Sequence, residues 1–216
     1  MMAVMTTDQA PQQAARGPRE RMVRSAVALF CVRGVSGTGL REIVEHAQAP
    51  RGSLQHYFPG GKEQLVAEAL ALAGHAAGRR VARLQDADGP QTPSAVFAAM
   101  VTVWRRALVA SNYVRGCPVV AAASDTAAAS DVLREAADAA FRAWQAPIET
   151  ALVKAGVPAE RTAALALLML SALEGAIVLA RTRQDPTPLD AVLAELAPLL
   201  DGAVSGADRQ PGRTAT

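Results

Sequence analysis

The sequence predicts an all-α protein, and three observations carry that prediction. Half of the 216 residues are apolar but only 4% are aromatic, so any core is built from Ala, Leu and Val, a composition that favours helix over sheet. Apolar residues recur at i, i+3, i+4 and i+7 in one segment after another. Between these segments Gly34 stands where a helix would stop, and Thr92-Pro93, Pro158 and Thr187-Pro188 stand where helices would start. The length suits one or two compact domains with a sizeable core.

Taken in order, the spacing predicts a first helix from Pro18 to about Arg33, with Met22, Val23, Ala26, Val27 and Phe30 on one face. Arg19, Arg21 and Arg24 lie near its start, as a solvated basic face or as phosphate contacts. Gly34 to Gly39 is a turn. Leu40, Ile43, Val44 and Ala47 then mark a short helix that Thr38 can cap. Pro50 opens the next segment, in which Leu54 is the one strongly apolar interior residue. That segment has almost no core face. Arg51, Gly52, Ser53, Gln55, His56 and Tyr57 instead present donors, a cation, an aromatic tip and a position where the backbone can approach a partner. Two short helices joined by a tight turn, the second of them polar, are what a helix-turn-helix needs to read a major groove. After Pro59, Lys62 begins a helix continuing past Ala82, with Leu65, Val66, Ala69, Leu72, Ala73 and Ala76 inward.

A polar break from Asp86 to Pro93 precedes a helix whose Val96, Phe97, Met100, Val101, Trp104 and Leu108 make a broad apolar face. Arg115 to Pro118 interrupts, and Val119 to Ala123 restarts, helical structure. Ser130 to about Ala155 brings Phe141, Trp144 and Ile148 to one face, with Pro147 as a kink. Pro158 opens a long apolar helix ending near Arg183. The last helix carries Leu189, Val192, Leu193, Leu196, Leu199 and Leu200, a stripe wider than one small core requires. Two consecutive helices this apolar predict a hairpin that pairs with a copy of itself, giving a homodimer through the last two helices.

Charge is uneven along the chain. The net charge is +2, but eight Lys or Arg stand against five acids through Glu63, and fourteen against fifteen from Gln64 onward. The front of the chain is therefore the end suited to a polyanion. Cys31 and Cys117 have neither disulfide-framework nor zinc spacing, and His46, His56 and His75 do not form a ligand set, so no metal or cofactor is expected. Gly60-Gly61-Lys62 lacks the upstream Gly and the hydroxyl residue of a phosphate-binding loop. No nucleophile elbow or paired carboxylate motif indicates an enzyme. The first residues lack the basic and apolar regions of a signal peptide, and Ala163 to Ala180, near membrane length, is interrupted by Ser171, Glu174 and Gly175. The expectation is a cytoplasmic protein with reduced thiols, outside the membrane.

The stretch GLREIVEHAQAPRGSLQHYFPGGKEQL resembles the DNA-binding signature of the TetR family of transcriptional repressors, most specifically in Tyr57-Phe58, the short turn and Lys62. The PGGKEQL spelling and RGCPVVAAASD, Arg115 to Asp125, resemble the LmrA/YxaF-like branch. Pro50 replaces the family's usual Ser or Thr, and Gln55 its usual Tyr, so the resemblance carries no tyrosine phosphate clamp to position 55. The resemblance implies a reader at 18–64, flanked by a disordered arm at 1–17, and a helical effector-binding and dimerisation domain at 65–204 with a disordered tail at 205–216. It implies a repressor that binds a palindromic DNA operator as a dimer and is released by an apolar or aromatic small molecule. The alternative is an Ala-rich helical carrier or interaction protein that does not bind DNA. Expected DNA contacts are Arg19, Arg24, Thr38, Arg51, Gly52, Ser53, Gln55, His56, Tyr57 and Lys62. The expected effector cavity is lined by Phe97, Met100, Val101, Trp104, Cys117, Phe141, Trp144, Leu173, Glu174 and Ile177. For Glu174 the reading stays divided between an exposed edge, a structural partner and a polar anchor in that cavity.

Overall fold

The computed structural model describes residues 17–50, 52–84 and 92–204. The arm before Gly17, Arg51, most of the 86–93 break and the tail from 205 lie outside the described residues. Among those described, every regular element is a helix: α1 (Pro18–Arg33), α2 (Leu40–His46), α3 (Ser53–Tyr57), α4 (Gly61–Arg83), α5 (Pro93–Ala110), α6 (Pro118–Thr126), α7 (Asp131–Lys154), α8 (Ala159–Arg183) and α9 (Thr187–Gly202). The all-α fold class predicted from composition and periodicity is the one observed.

The chain forms two compact units that do not follow a single cut. One joins the described residues up to Ala73 with Pro118–Ala140, and the other joins the described residues of Gly74–Cys117 with those from Phe141 to Val204. Helices α4 and α7 each contribute residues to both.

In the first unit α1 packs on α2 and α6, burying Met22, Ala26, Phe30, Ile43, Phe58, Leu65, Val119 and Ala122. Helix α1 stops because Gly34 takes φ 72°, its N–H still reaching the Phe30 carbonyl at 3.1 Å. That conformation favours glycine, and a Cβ there would also stand 2.6 Å from Oδ2 of Asp125. Thr38, expected as the cap of α2, is not one. The N-cap is Gly39, without a side-chain cap. Thr38 is buried, and its hydroxyl donates to the Gly34 carbonyl at 2.7 Å, because the turn needs that carbonyl satisfied more than α2 needs a cap. At the other end of α2, Arg21 donates from Nε to the Ala47 carbonyl at 3.0 Å and from Nη2 to that of Gln48 at 3.3 Å. It thereby serves the carbonyls a helix end leaves open. Helix α3 begins at Ser53 rather than at Pro50, whose carbonyl accepts from the Ser53 N–H at 3.0 Å and hydroxyl at 2.7 Å in the preceding turn.

In the second unit α9 packs on α5 and α8, and α5 on α8. Thr92 caps α5 as its spacing predicts, accepting from the Ala95 N–H at 3.2 Å. Ser94 at the start of α5 donates to the Asp201 carboxylate near the end of α9 at 3.0 and 2.7 Å, while Arg105 further along α5 pairs at 3.2 Å with Asp190 near the start of α9. The two helices therefore run antiparallel. Helix α7 passes through Pro147 without interruption. Proline cannot donate to the Ala143 carbonyl one turn back, and Gly78 of α4 presses against that carbonyl, so that a Cβ on Gly78 would lie 2.4 Å from it. A backbone approach this close is open only to glycine. Helix α8 is long and apolar enough to span a membrane, but half of its apolar stretch is buried inside the protein, with Ala166, Met169, Leu173 and Ile177 in the core.

Candidate DNA-reading surface and ligand cleft

Helix α3 has no buried residue. It is anchored by its C-terminal neighbour Phe58, which is fully buried with the Arg19 guanidinium 5.4 Å over its ring. Gly52, Gln55 and His56 are left exposed, with Ser53 and Tyr57 half-buried and the Tyr57 ring edge-on to His56 at 4.9 Å. Short length and an empty core face make this helix a presenter of side chains rather than a packing element.

The cations divide sharply. Arg19 pairs with Glu68 at 2.6 Å, Arg24 with Glu20 at 2.9 Å and Arg33 with Glu42. Lys62 donates to the Val35 carbonyl at 2.9 Å and keeps two further N–H donors. Among the described Arg and Lys residues between Gly17 and Gln64, Arg41 is the one without an ion pair or hydrogen bond to another described residue. It is exposed on the first turn of α2 and lines an open groove of about 630 Å³ with Leu40, Val44, Gln48 and Leu54. Sequence reasoning passed over it, although it is the one cation on the helix preceding the reader. Arg51 lies outside the described residues.

The second unit carries a smaller cleft. It is lined by Ala77, Arg80 and Val81 of α4 and Leu84 just after it, by Met100, Val103 and Trp104 of α5, and by Trp144 of α7. Its volume is about 30 Å³, far below the roughly 300 Å³ or more of a site that holds a drug-sized ligand. The two tryptophan rings stack with centroids 6.3 Å apart at 29°, within the range that aromatic pairs favour. Trp144 is 3% exposed and fixed, whereas Trp104 is half-buried. Gly78 of α4 and Ala143 of α7 approach closely beside the cleft that Ala77, Val81 and Trp144 line together. Of the ten residues expected around a cavity, Met100, Trp104 and Trp144 line this cleft. Phe97, Val101, Leu173 and Ile177 are buried in the core, and Phe141 is half-buried. The α4 wall was missed, although Ala77, Arg80, Val81 and Leu84 repeat at i, i+3, i+4 and i+7.

Cys117 and Glu174 meet elsewhere. Glu174 is not at an exposed edge: it is 7% exposed, and neither carboxylate oxygen has a hydrogen bond of ordinary geometry. Burial pushes its carboxyl up to about 7, and the Cys117 thiol beside it opposes that rise. Two turns along α8, Arg181 donates to the Val114 carbonyl at 3.0 Å and lies where a Cβ on Gly116 would sit. The 114–117 corner is thus gripped by two residues of one helix face.

Both parts of the chain match known families. Residues 23–69 match the family described as bacterial regulatory proteins, tetR family, and residues 93–195 match the C-terminal domain of LmrA/YxaF-like transcriptional regulators. The chain is 39% identical over 191 residues to an uncharacterised helix-turn-helix transcriptional regulator of Mycobacterium tuberculosis, spanning 86% of this chain and 95% of that one. It is 34% identical over 184 residues to the regulator YxaF of Bacillus subtilis, spanning 84% and 94%. A crystal structure of a TetR regulatory protein from Rhodobacter sphaeroides superposes with a TM-score of 0.74 at 22% identity, over 84% of this chain and 97% of that one, and shares its fold. The chain belongs to the TetR family of transcriptional regulators, in its LmrA/YxaF-like branch.

Proposed function

We propose that this regulator is a ligand-responsive repressor that binds a palindromic operator as a homodimer and is released by an apolar or aromatic small molecule. The observation that carries the reading is α3, a helix with no buried residue, whose Gln55 and His56 face outward. Arg51, Gly52, Ser53, Gln55, His56 and Tyr57 are the base- and phosphate-contacting set, with Arg19, Arg24 and Lys62 supporting the backbone contacts and Arg41 added to them; Thr38, expected among the contacts, is buried with its hydroxyl on the Gly34 carbonyl and shapes the turn instead. Reading two half-sites requires two readers at fixed spacing. An outward apolar stripe supports pairing through the last two helices: Leu167, Leu168, Val178 and Leu179 of α8 and Leu199 of α9 are exposed although large and apolar.

The effector enters at the tryptophan cleft, with Met100, Trp104 and Trp144 in contact. It acts by favouring the conformation whose readers do not match the groove spacing, and a full switch needs about 5.5 kcal/mol of preference between the two states. Action on DNA is the ground for placing the protein in the cytoplasm. The test is a titration of DNA from upstream of the regulator's own gene, with sedimentation run alongside. Sequence-specific binding by a dimer is expected; a monodisperse monomer, or binding without sequence preference, contradicts the reading.

A further inference from the structure

We infer that the effector of the tryptophan cleft carries an anionic group, such as the carboxylate of an aryl or acyl acid, and that Arg80 is the residue that receives it. The inference rests on the cleft being the effector site. Arg80 is the one charged residue among those lining it; the other seven are apolar or aromatic. It is exposed and has no hydrogen bond or ion pair with any described residue.

Among the described residues, the helices that form the two walls share its sign near the cleft. No acid occurs on α4 after Glu68 or anywhere on α5, while Arg79, Arg83 and Arg106 are exposed cations elsewhere on these two helices. Arg105 is already paired with Asp190. On α7, Glu149 accepts from Gln145 at 2.8 Å and does not line the cleft. A helix C-terminus favours cations by itself, and this accounts for Arg79 and Arg83 facing solvent. It does not account for a guanidinium at the rim of an aromatic cleft, where a planar fork can take a carboxylate on one side while its stem and the tryptophans cover an apolar body. Glu174 is on α8 and contributes no atom to the lining. Trp104, the half-buried member of the pair, is the ring that turns aside to admit the body.

Two probe sets share their apolar part and differ in charge: decanoate, decanol and decyltrimethylammonium below its micelle threshold, and 4-phenylbutyrate, 4-phenylbutanol and 4-phenylbutylammonium. Each is titrated into the full-length protein while tryptophan emission is read, both tryptophans being at the cleft. The carboxylate of at least one set is expected to act at about tenfold lower concentration than its alcohol and its cation. In Arg80→Gln that preference is expected to fall below about threefold with the alcohol response unchanged, and in Arg80→Lys to be partly retained. Equal potency across a set, a preference for the cation, or a carboxylate preference that survives Arg80→Gln overturns the anionic assignment while leaving the cleft as the binding site. Silence from all six probes overturns the cleft itself and the inference with it.

Discussion

Oδ2 of Asp125 accepts the backbone N–H groups of both Val35, at 3.0 Å, and Ser36, at 3.1 Å, across 90 and 89 residues of sequence. The same Val35 gives its carbonyl to Lys62. The turn leading into the reader is therefore held from both sides, and one of the two holders belongs to α6, which begins immediately after the Cys117 corner. Losing Asp125 leaves two backbone donors without their charged acceptor, a change of about 1.5–3 kcal/mol. Asp125→Ala is expected to lower urea stability by that amount and to weaken operator binding, with Asp125→Asn intermediate. A variant as stable as the parent would show that the clasp carries no weight.

The contact between Gly78 and the Ala143 carbonyl admits no Cβ, and both neighbours are backbone or ring atoms of α7. Gly78→Ala is expected to cost about 1–3 kcal/mol by overpacking, despite alanine's better helix propensity. It should also change the tryptophan emission by separating α4 from Trp144. A stabilised variant with unaltered emission would contradict this account of the cleft.

Glu174 links stability to pH. Its carboxyl is raised from 4.5 to about 7 by burial, so the folded state holds its proton more tightly than the unfolded one. Its contribution is best below about pH 4.5, declines as pH rises to 7 and then levels, a loss on the order of 3 kcal/mol. Glu174→Gln should flatten the pH dependence in that window relative to the parent, and the gap between the two curves is the quantity to measure. Parallel curves from pH 4.5 to 8 would contradict the burial of this carboxyl.

Arg41 and Arg33 make a controlled pair on the reader. Arg41→Ala should weaken DNA binding at moderate salt and reduce the slope of log K against log salt by about 0.9. Arg33→Ala, whose guanidinium already lies on Glu42, should leave that slope nearly unchanged. Equal slopes for the parent and both variants would remove Arg41 from the DNA surface.

Local chemistry was written in the sequence. Thr92-Pro93, Thr187-Pro188, Gly34 and the apolar periodicity placed α1, α4, α5, α7, α8 and α9 to within a residue or two, because caps, proline and glycine act within one turn. The polar, coreless character of α3 and the two tryptophans were legible for the same reason. What required the tertiary structure were relations between distant segments: Asp125 on Val35, Gly78 on Ala143, Glu174 beside Cys117, Arg80 at the rim of a tryptophan pair. Thr38 shows the difference most directly. Its type and position suit a cap, but its hydroxyl goes to the Gly34 carbonyl, a choice set by which buried group most needs a partner once the turn has folded.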